Sequence, residues 1–298
     1  MTKIYFGINN CWAVKRWPLP EEWADIYRKL DIKEVQFSFD LLDPRTSANA
    51  LEYETARVKE AAEEYGLKIH STFTGLAAYS YNLLGHPDAA LRADGLDWYL
   101  SALKVTRDMG VKMTGGHIAT KSVNDYSDPS RRADADKNIA ESINVLRARA
   151  KSLGLEAILW EPMPVPRETP WSLGDAKELL KSANQGEGVP VRLAIDVGHQ
   201  CTLQGPDGDP YEWLTELAAY SPVVHLQQTD GKADRHWAFS AHFNELGIIK
   251  PDKVISSIEK SGAKEVHAFI EYIPPFEEND QEVLKNVEET VKYWKQYV

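Results

Sequence analysis

Six residues able to bind a metal or transfer a proton recur along this chain about one structural unit apart: His70, His117, Glu161, Asp196, His225 and Glu271. Their spacings are 47, 44, 35, 29 and 46 residues, and each closes a short apolar run: Lys68-Ile69-His70, Gly115-Gly116-His117, Leu159-Trp160-Glu161, Ala194-Ile195-Asp196, Val223-Val224-His225 and Phe269-Ile270-Glu271. A single histidine or acid at a strand end more often anchors a loop than binds a ligand. Six together reverse that balance, because acids brought face to face repel unless a cation neutralises them. Two further pairs join them, Asp196 with His199 three residues on and Asp234 with His236 two residues on. Carboxylates and imidazoles without thiolates describe a site for Mn2+, Mg2+, Co2+ or Zn2+ that keeps room for a substrate oxygen. Cys11 and Cys201 form no Cys-x-x-Cys and stand outside it, and His86, His242 and His267 read as surface or packing residues.

The elements that must position these groups are legible as alternating β-rich and amphipathic stretches. Strands are expected at 4–9, 34–39, 68–73, 112–118, 156–161, 191–197, 223–227 and 265–272. Between them lie helical patterns with physical end signals. Pro20-Glu21-Glu22 sets a proline and two acids in a first turn, where the missing N–H costs nothing and negative charge meets the positive helix end. Residues 54–65 run helically into Gly66, and helix, glycine and apolar strand follow one another again at Gly110, Gly154 and Gly262. Eight such units in 298 residues is about 37 residues each. Nearly continuous apolar strands are what a parallel sheet buried on both faces requires. The α/β class and a single (β/α)8 TIM barrel spanning 1–298 follow, with the six residues at its C-terminal rim, where barrels of this kind carry their active sites. Neither a Gly-x-Gly-x-x-Gly fingerprint nor a P-loop is present, so no nucleotide cofactor is expected.

Composition narrows the function classes. Lys plus Arg is 34 against 45 for Asp plus Glu, a net charge of −11 that disfavours a broad nucleic-acid or anionic-membrane surface. No run approaches the roughly 18 apolar residues that span a bilayer, and the first residues lack a signal-peptide pattern. Two cysteines make no disulfide framework. A cytoplasmic protein without membrane association is the expectation.

With these motifs in hand, the sequence resembles the xylose-isomerase-like TIM-barrel superfamily over essentially its whole length. It is most similar to the sugar isomerase and 3-epimerase branch, which includes tagatose/psicose 3-epimerases and tetrulose-phosphate isomerases or racemases. That resemblance implies one divalent ion held by Glu161 in Trp160-Glu161-Pro162-Met163, Asp196 in Ile195-Asp196-Val197-Gly198-His199, His225 in His225-Leu226-Gln227-Gln228-Thr229-Asp230, and Glu271 in Ile270-Glu271-Tyr272. It also implies that His199 contacts substrate, and that the protein is a homo-oligomer. Mn2+ is the first expectation for the ion, ahead of Mg2+, Co2+ and Zn2+. The resemblance reaches the type IV apurinic/apyrimidinic endonucleases too, whose three-zinc site implies five added ligands at His70, His117, His199, Asp234 and His236. The rim loops favour the sugar branch: 75–86 is rich in Tyr, Leu and Asn, and 162–171 in Pro and Trp.

The expected activity is isomerisation or epimerisation of a ketose or ketose phosphate by proton transfer through a metal-stabilised enediolate, with Glu161 and Glu271 as acid and base. Trp12, Phe37, Phe73 and Trp160 are candidate apolar pocket walls. Arg167, Lys232 and Arg235 are candidate partners for a substrate phosphate or carboxylate. The same site could decarboxylate a 3-oxo sugar acid, since loss of CO2 beside a metal-bound ketone leaves the same intermediate. A zinc-dependent abasic-site endonuclease is the alternative from another class.

Overall fold

A computed structural model describes residues 2–298, and in it eight parallel strands follow one another in sequence order and close into a barrel. They are β1 (Lys3–Asn9), β2 (Glu34–Ser38), β3 (Lys68–Phe73), β4 (Met113–Gly116), β5 (Ala157–Trp160), β6 (Val191–Asp196), β7 (Val223–Leu226) and β8 (Glu265–Ile270). With helices between the strands this is the expected (β/α)8 TIM barrel, and every expected strand is present. Strands β4 and β5 are shorter than their apolar runs, so His117 and Glu161 are the first residues beyond them.

Local chemistry sets the helix ends. Pro20 opens the helix Pro20–Lys29, and Glu22 reaches back to accept the Leu19 N–H at 3.2 Å. The helix Ala48–Glu64 stops just before Gly66, whose φ of +67° is a backbone state that a side chain disfavours. Asp128 caps the long helix Pro129–Ser152 through the N–H groups of Ser130 and Arg131, worth about 1 kcal/mol.

The chain divides into two compact units. The first holds the residues up to Phe37, Ala61–Ile69 and Leu193–Val298. In it β1 pairs with β2 and β8, and β7 pairs with β6 and β8, in registers that set Asn9 opposite Gln36 and Asp196 opposite His225. Its aromatic core packs Trp12, Trp23, Tyr27 and Phe37 at tilted angles. Trp12, Trp23, Trp213 and Trp294 are fully buried, and each withdraws roughly 200 Å² from water, about 5 kcal/mol of hydrophobic stabilisation.

The second unit holds Ser38–Glu60 and His70–Arg192. Here β4 pairs with β3 and β5, and the hydroxyls of Thr72, Thr106 and Thr114 bond one another in the interior. Lys121, almost wholly buried, joins the loops after β4 and β5. Its ammonium meets Asp136 at 2.6 Å and the Thr169 hydroxyl at 2.7 Å, and its N–H donates to the Arg167 carbonyl. Both cysteines are free thiols. Among the described residues, no helix is long and apolar enough to cross a membrane.

Candidate active site

The expected ligands of the first unit converge. Asp196 ends β6, His225 lies in β7, and Glu271 follows β8, where its N–H donates to the Leu226 carbonyl. All three are buried. His225 Nδ1 stands 3.0 Å from Glu271 Oε2. Asp196 divides its oxygens: Oδ1 accepts from the N–H groups of Gly198 and His199, at 2.6 and 3.2 Å, while Oδ2 is buried with no hydrogen-bond partner among the described residues.

Which nitrogen of His225 carries the proton follows from a chain of amides. The Cys11 N–H donates to Asn9 Oδ1 at 2.9 Å, so Asn9 Nδ2 is the end that faces Gln36. Nδ2 donates to Gln36 Oε1 at 2.8 Å and to Glu271 Oε1 at 3.3 Å. Gln36 Oε1 is therefore an acceptor, and His225 Nε2, 2.6 Å away, must donate to it. A neutral imidazole then turns the Nδ1 lone pair toward a carboxylate. That contact needs a proton or a cation between the two groups: a second proton on the ring, a proton on the carboxyl, or a metal ion.

A second cluster leans on the first. Beyond β7 the chain bends at 231–233 and folds back, with Gln228 and Trp237 exchanging backbone hydrogen bonds of 2.9 and 3.1 Å. The returning loop delivers Asp234 and His236. Asp234 Oδ2 lies 3.3 Å from His236 Nε2 and 3.6 Å from His199 Nε2, and His236 Nδ1 lies 3.6 Å from Glu271 Oε2. Asp196, His199, His236 and Glu271 each offer a ligand atom within 4.8 Å of the others.

Burial and imidazole neighbours pull these carboxyls in opposite directions. Burial alone would raise Glu271, but the imidazoles of His225 and His236 hold its carboxyl down at about 2. Burial also works against the charge on Asp234, which the same kind of pairing with His199 and His236 keeps well below the usual range. His236 is held well above its ordinary value by Asp234 and Glu271, despite its burial. Asp196 goes the other way: burial pushes its carboxyl up against the pull of His199 and His236. A buried carboxylate oxygen without a partner, among carboxylates and imidazoles, fits a divalent cation of the O- and N-liganded kind.

In the second unit Glu161 is buried just past β5, its N–H bound to the Gly116 carbonyl. Its charge adds to burial in raising the Tyr99 phenol well above 10. The Tyr99 hydroxyl donates to the His117 carbonyl, and His117 Nε2 meets the Thr120 hydroxyl at 3.1 Å. The Tyr79 ring stands perpendicular to that of His117, and its hydroxyl donates to the buried Glu168 at 3.3 Å.

His70 is not brought to the rim. The register pairs Thr72 with Thr114, which sets His70 two residues before that pair and His117 three beyond it. The run Ser71-Thr72-Phe73 continues the strand past the histidine. The proposed walls also separate. Trp12 is fully buried, bonds the Tyr27 hydroxyl and packs on Trp17, while Phe37 packs on Trp23, so both belong to the core. Phe73, the last residue of β3, is buried. Trp160 points opposite to Glu161 by strand alternation and lines a cavity of about 340 Å³ between the helices Pro129–Ser152 and Leu173–Ser182. Among the proposed cations, Arg167 donates to the Lys121 carbonyl, Arg235 is engaged by both oxygens of Asp230 over the face of Trp237, and Lys232 is exposed. Asn9, Gln36 and Gln227 were not expected at the site. Strand parity offers one signal for the last, since Gln227 falls two residues after His225 and so on the same face.

Residues 24–297 match the family model described as "Xylose isomerase-like TIM barrel". The D-erythrulose 1-phosphate 3-epimerase of Brucella abortus is 27% identical over 302 residues, covering 99% of this chain and 96% of that protein. A crystal structure of a candidate xylose isomerase from Rhodospirillum rubrum superposes with a TM-score of 0.93 at 32% identity, covering 99% of each chain. The D-psicose 3-epimerase of Clostridium cellulolyticum, solved with D-tagatose, shares the fold at a TM-score of 0.72 and 13% identity, covering 98% of this chain and 99% of that one. The relatives support an enzyme of the sugar epimerase and isomerase kind. With its eight-stranded barrel and acid–imidazole rim, the chain belongs to the xylose isomerase-like TIM barrel family.

Proposed function

We propose that this protein is a divalent-cation-dependent epimerase or isomerase of a ketose or ketose phosphate. The observation that carries the reading is the contact between His225 Nδ1 and Glu271 Oε2, in which the amide chain through Gln36 leaves the ring's second nitrogen facing a carboxylate. Asp196, His225 and Glu271 would hold the ion, with Glu161 as fourth ligand. When bound, the cation would polarise the ketose carbonyl and make the adjacent C–H more acidic.

The remaining steps fall to the chain's own groups. Glu271, ionised at neutral pH because of its imidazole neighbours, is suited to take the proton from the carbon beside the carbonyl. Glu161 would return a proton to the opposite face, which inverts that carbon. His199, whose N–H donates to Asp196 Oδ1, would bond a substrate hydroxyl through its imidazole. The endonuclease alternative requires His70 among its ligands, and that residue lies inside β3 rather than beyond its end.

The test is deuterium uptake from D2O by a panel of ketoses and ketose phosphates, D-erythrulose 1-phosphate and D-psicose among them, with Mn2+-loaded protein. Exchange at the carbon beside the carbonyl supports the proposal. CO2 release from a 3-oxo sugar acid without such exchange would assign a decarboxylase instead, and cleavage of abasic duplex would assign the endonuclease.

A further inference from the structure

Gln227 is fully buried just past β7, and every hydrogen-bonding atom of its amide is committed. The His236 N–H donates to Oε1 at 2.5 Å, which fixes Oε1 as the acceptor end. The two hydrogens on Nε2 are then shared between two acids, Asp196 Oδ1 at 2.9 Å and Asp234 Oδ1 at 2.6 Å. With Gly198 and His199 already donating to it, Asp196 Oδ1 receives three N–H groups, while Oδ2 receives none among the described residues.

We propose that Gln227 is a positioning residue that turns Asp196 so that Oδ2 alone is offered to the cation, and that ties the Asp234–His236 pair to the same carboxylate. The inference rests on the reading that this rim holds a divalent cation. A glutamate in its place would set a third carboxylate against two others, and an apolar side chain would supply neither donor. Gly198 supplies an independent sign that the contact is built. A Cβ at that position would stand 2.4 Å from the Gln227 amide carbon, so the amide reaches Asp196 through the space that the glycine leaves. The backbone of His236 adds another, because its φ of +46° is unusual for a side-chain-bearing residue and its N–H is the one Gln227 accepts.

The experiment compares the wild-type protein with Gln227→Met, which keeps much of the volume and loses the donors, and with Gly198→Ala, which keeps the amide and displaces it. Each protein is stripped of metal, checked for native near-UV circular dichroism, and titrated with Mn2+ by calorimetry. Loss of an outer support of a metal ligand costs about 10- to 100-fold in affinity, and that weakening is expected for both variants. The double variant should bind no more weakly than Gln227→Met, since both changes break one contact. Folded variants that bind Mn2+ within twofold of wild type would overturn the assignment. If Gln227→Met does not fold, Gly198→Ala decides by the same criterion. If the wild-type protein itself binds no divalent cation, the cation reading fails first and takes this inference with it.

Discussion

Gln36 Oε1 lies 2.6 Å from His225 Nε2, and because the same oxygen accepts from Asn9 it can only receive a proton from the ring. A neutral amide on β2 thus decides which imidazole nitrogen on β7 is free to act as a ligand. Replacing Gln36 with Leu removes the acceptor and releases the ring to either tautomer. Mn2+ affinity is expected to fall about tenfold, read by calorimetry on the stripped protein, with circular dichroism unchanged.

The proton-transfer roles predict a large effect on turnover from small changes. Glu161→Gln and Glu271→Gln each keep the shape and an oxygen ligand while removing the basic group. Each should lower kcat about 100- to 10,000-fold, measured as epimerisation of whichever ketose exchanges deuterium, with thermal unfolding little altered. Wild-type turnover in both variants would remove these residues from the chemistry.

The barrel wall beneath the rim should tolerate no side chain at Gly115. Its φ is +151°, and an added Cβ would stand 1.8 Å from the Leu159 carbonyl oxygen of the neighbouring strand. Gly115→Ala must push β4 from β5 or strain the backbone, a loss of roughly 3 kcal/mol or more. Urea unfolding would show it as a lower midpoint, provided the variant accumulates in soluble form.

Glu34, at the start of β2, pairs with His267 Nδ1 at 3.2 Å and Lys68 Nζ at 3.3 Å. Burial opposes its charge, but these partners bring its carboxyl below the ordinary 4.5. A carboxylate whose folded value is depressed contributes stability above its unfolded value and loses it as pH falls toward the folded one. Glu34→Gln should therefore unfold at lower temperature than wild type at pH 7, and the gap should close as pH drops below about 4.5. A gap that is constant from pH 7 to pH 3 would show that the pair adds nothing.

Much of this was legible in the sequence, and the rest was hidden for physical reasons. Runs such as Val223-Val224 and Ala194-Ile195 mark strands buried on both faces, and acids and imidazoles placed at their ends stand out because they are costly to bury. His70 is the exception: the strand expected at 68–73 runs three residues past it to Phe73, so an imidazole expected at the strand end lies within β3. Asn9, Gln36 and Gln227 left no trace as site residues, because a neutral amide is common anywhere and its importance lies in which atom faces which neighbour. Trp160, expected as a pocket wall, precedes Glu161 directly, and strand alternation turns adjacent side chains to opposite faces. The return of the loop after β7, which brings Asp234 and His236 back, depends on the bridge between Gln228 and Trp237 and on Arg235 bound to Asp230, contacts that no local pattern announces.

This rim is expected to move a proton on a ketose only with a divalent cation in place. The most direct measurement follows deuterium entry from D2O at the carbon beside the carbonyl, by NMR, in protein stripped with chelator and then titrated with Mn2+. No exchange in the stripped protein, and recovery that rises with Mn2+ and levels near one ion per chain, is the predicted result. Undiminished exchange in protein shown by metal analysis to hold no ion would contradict it.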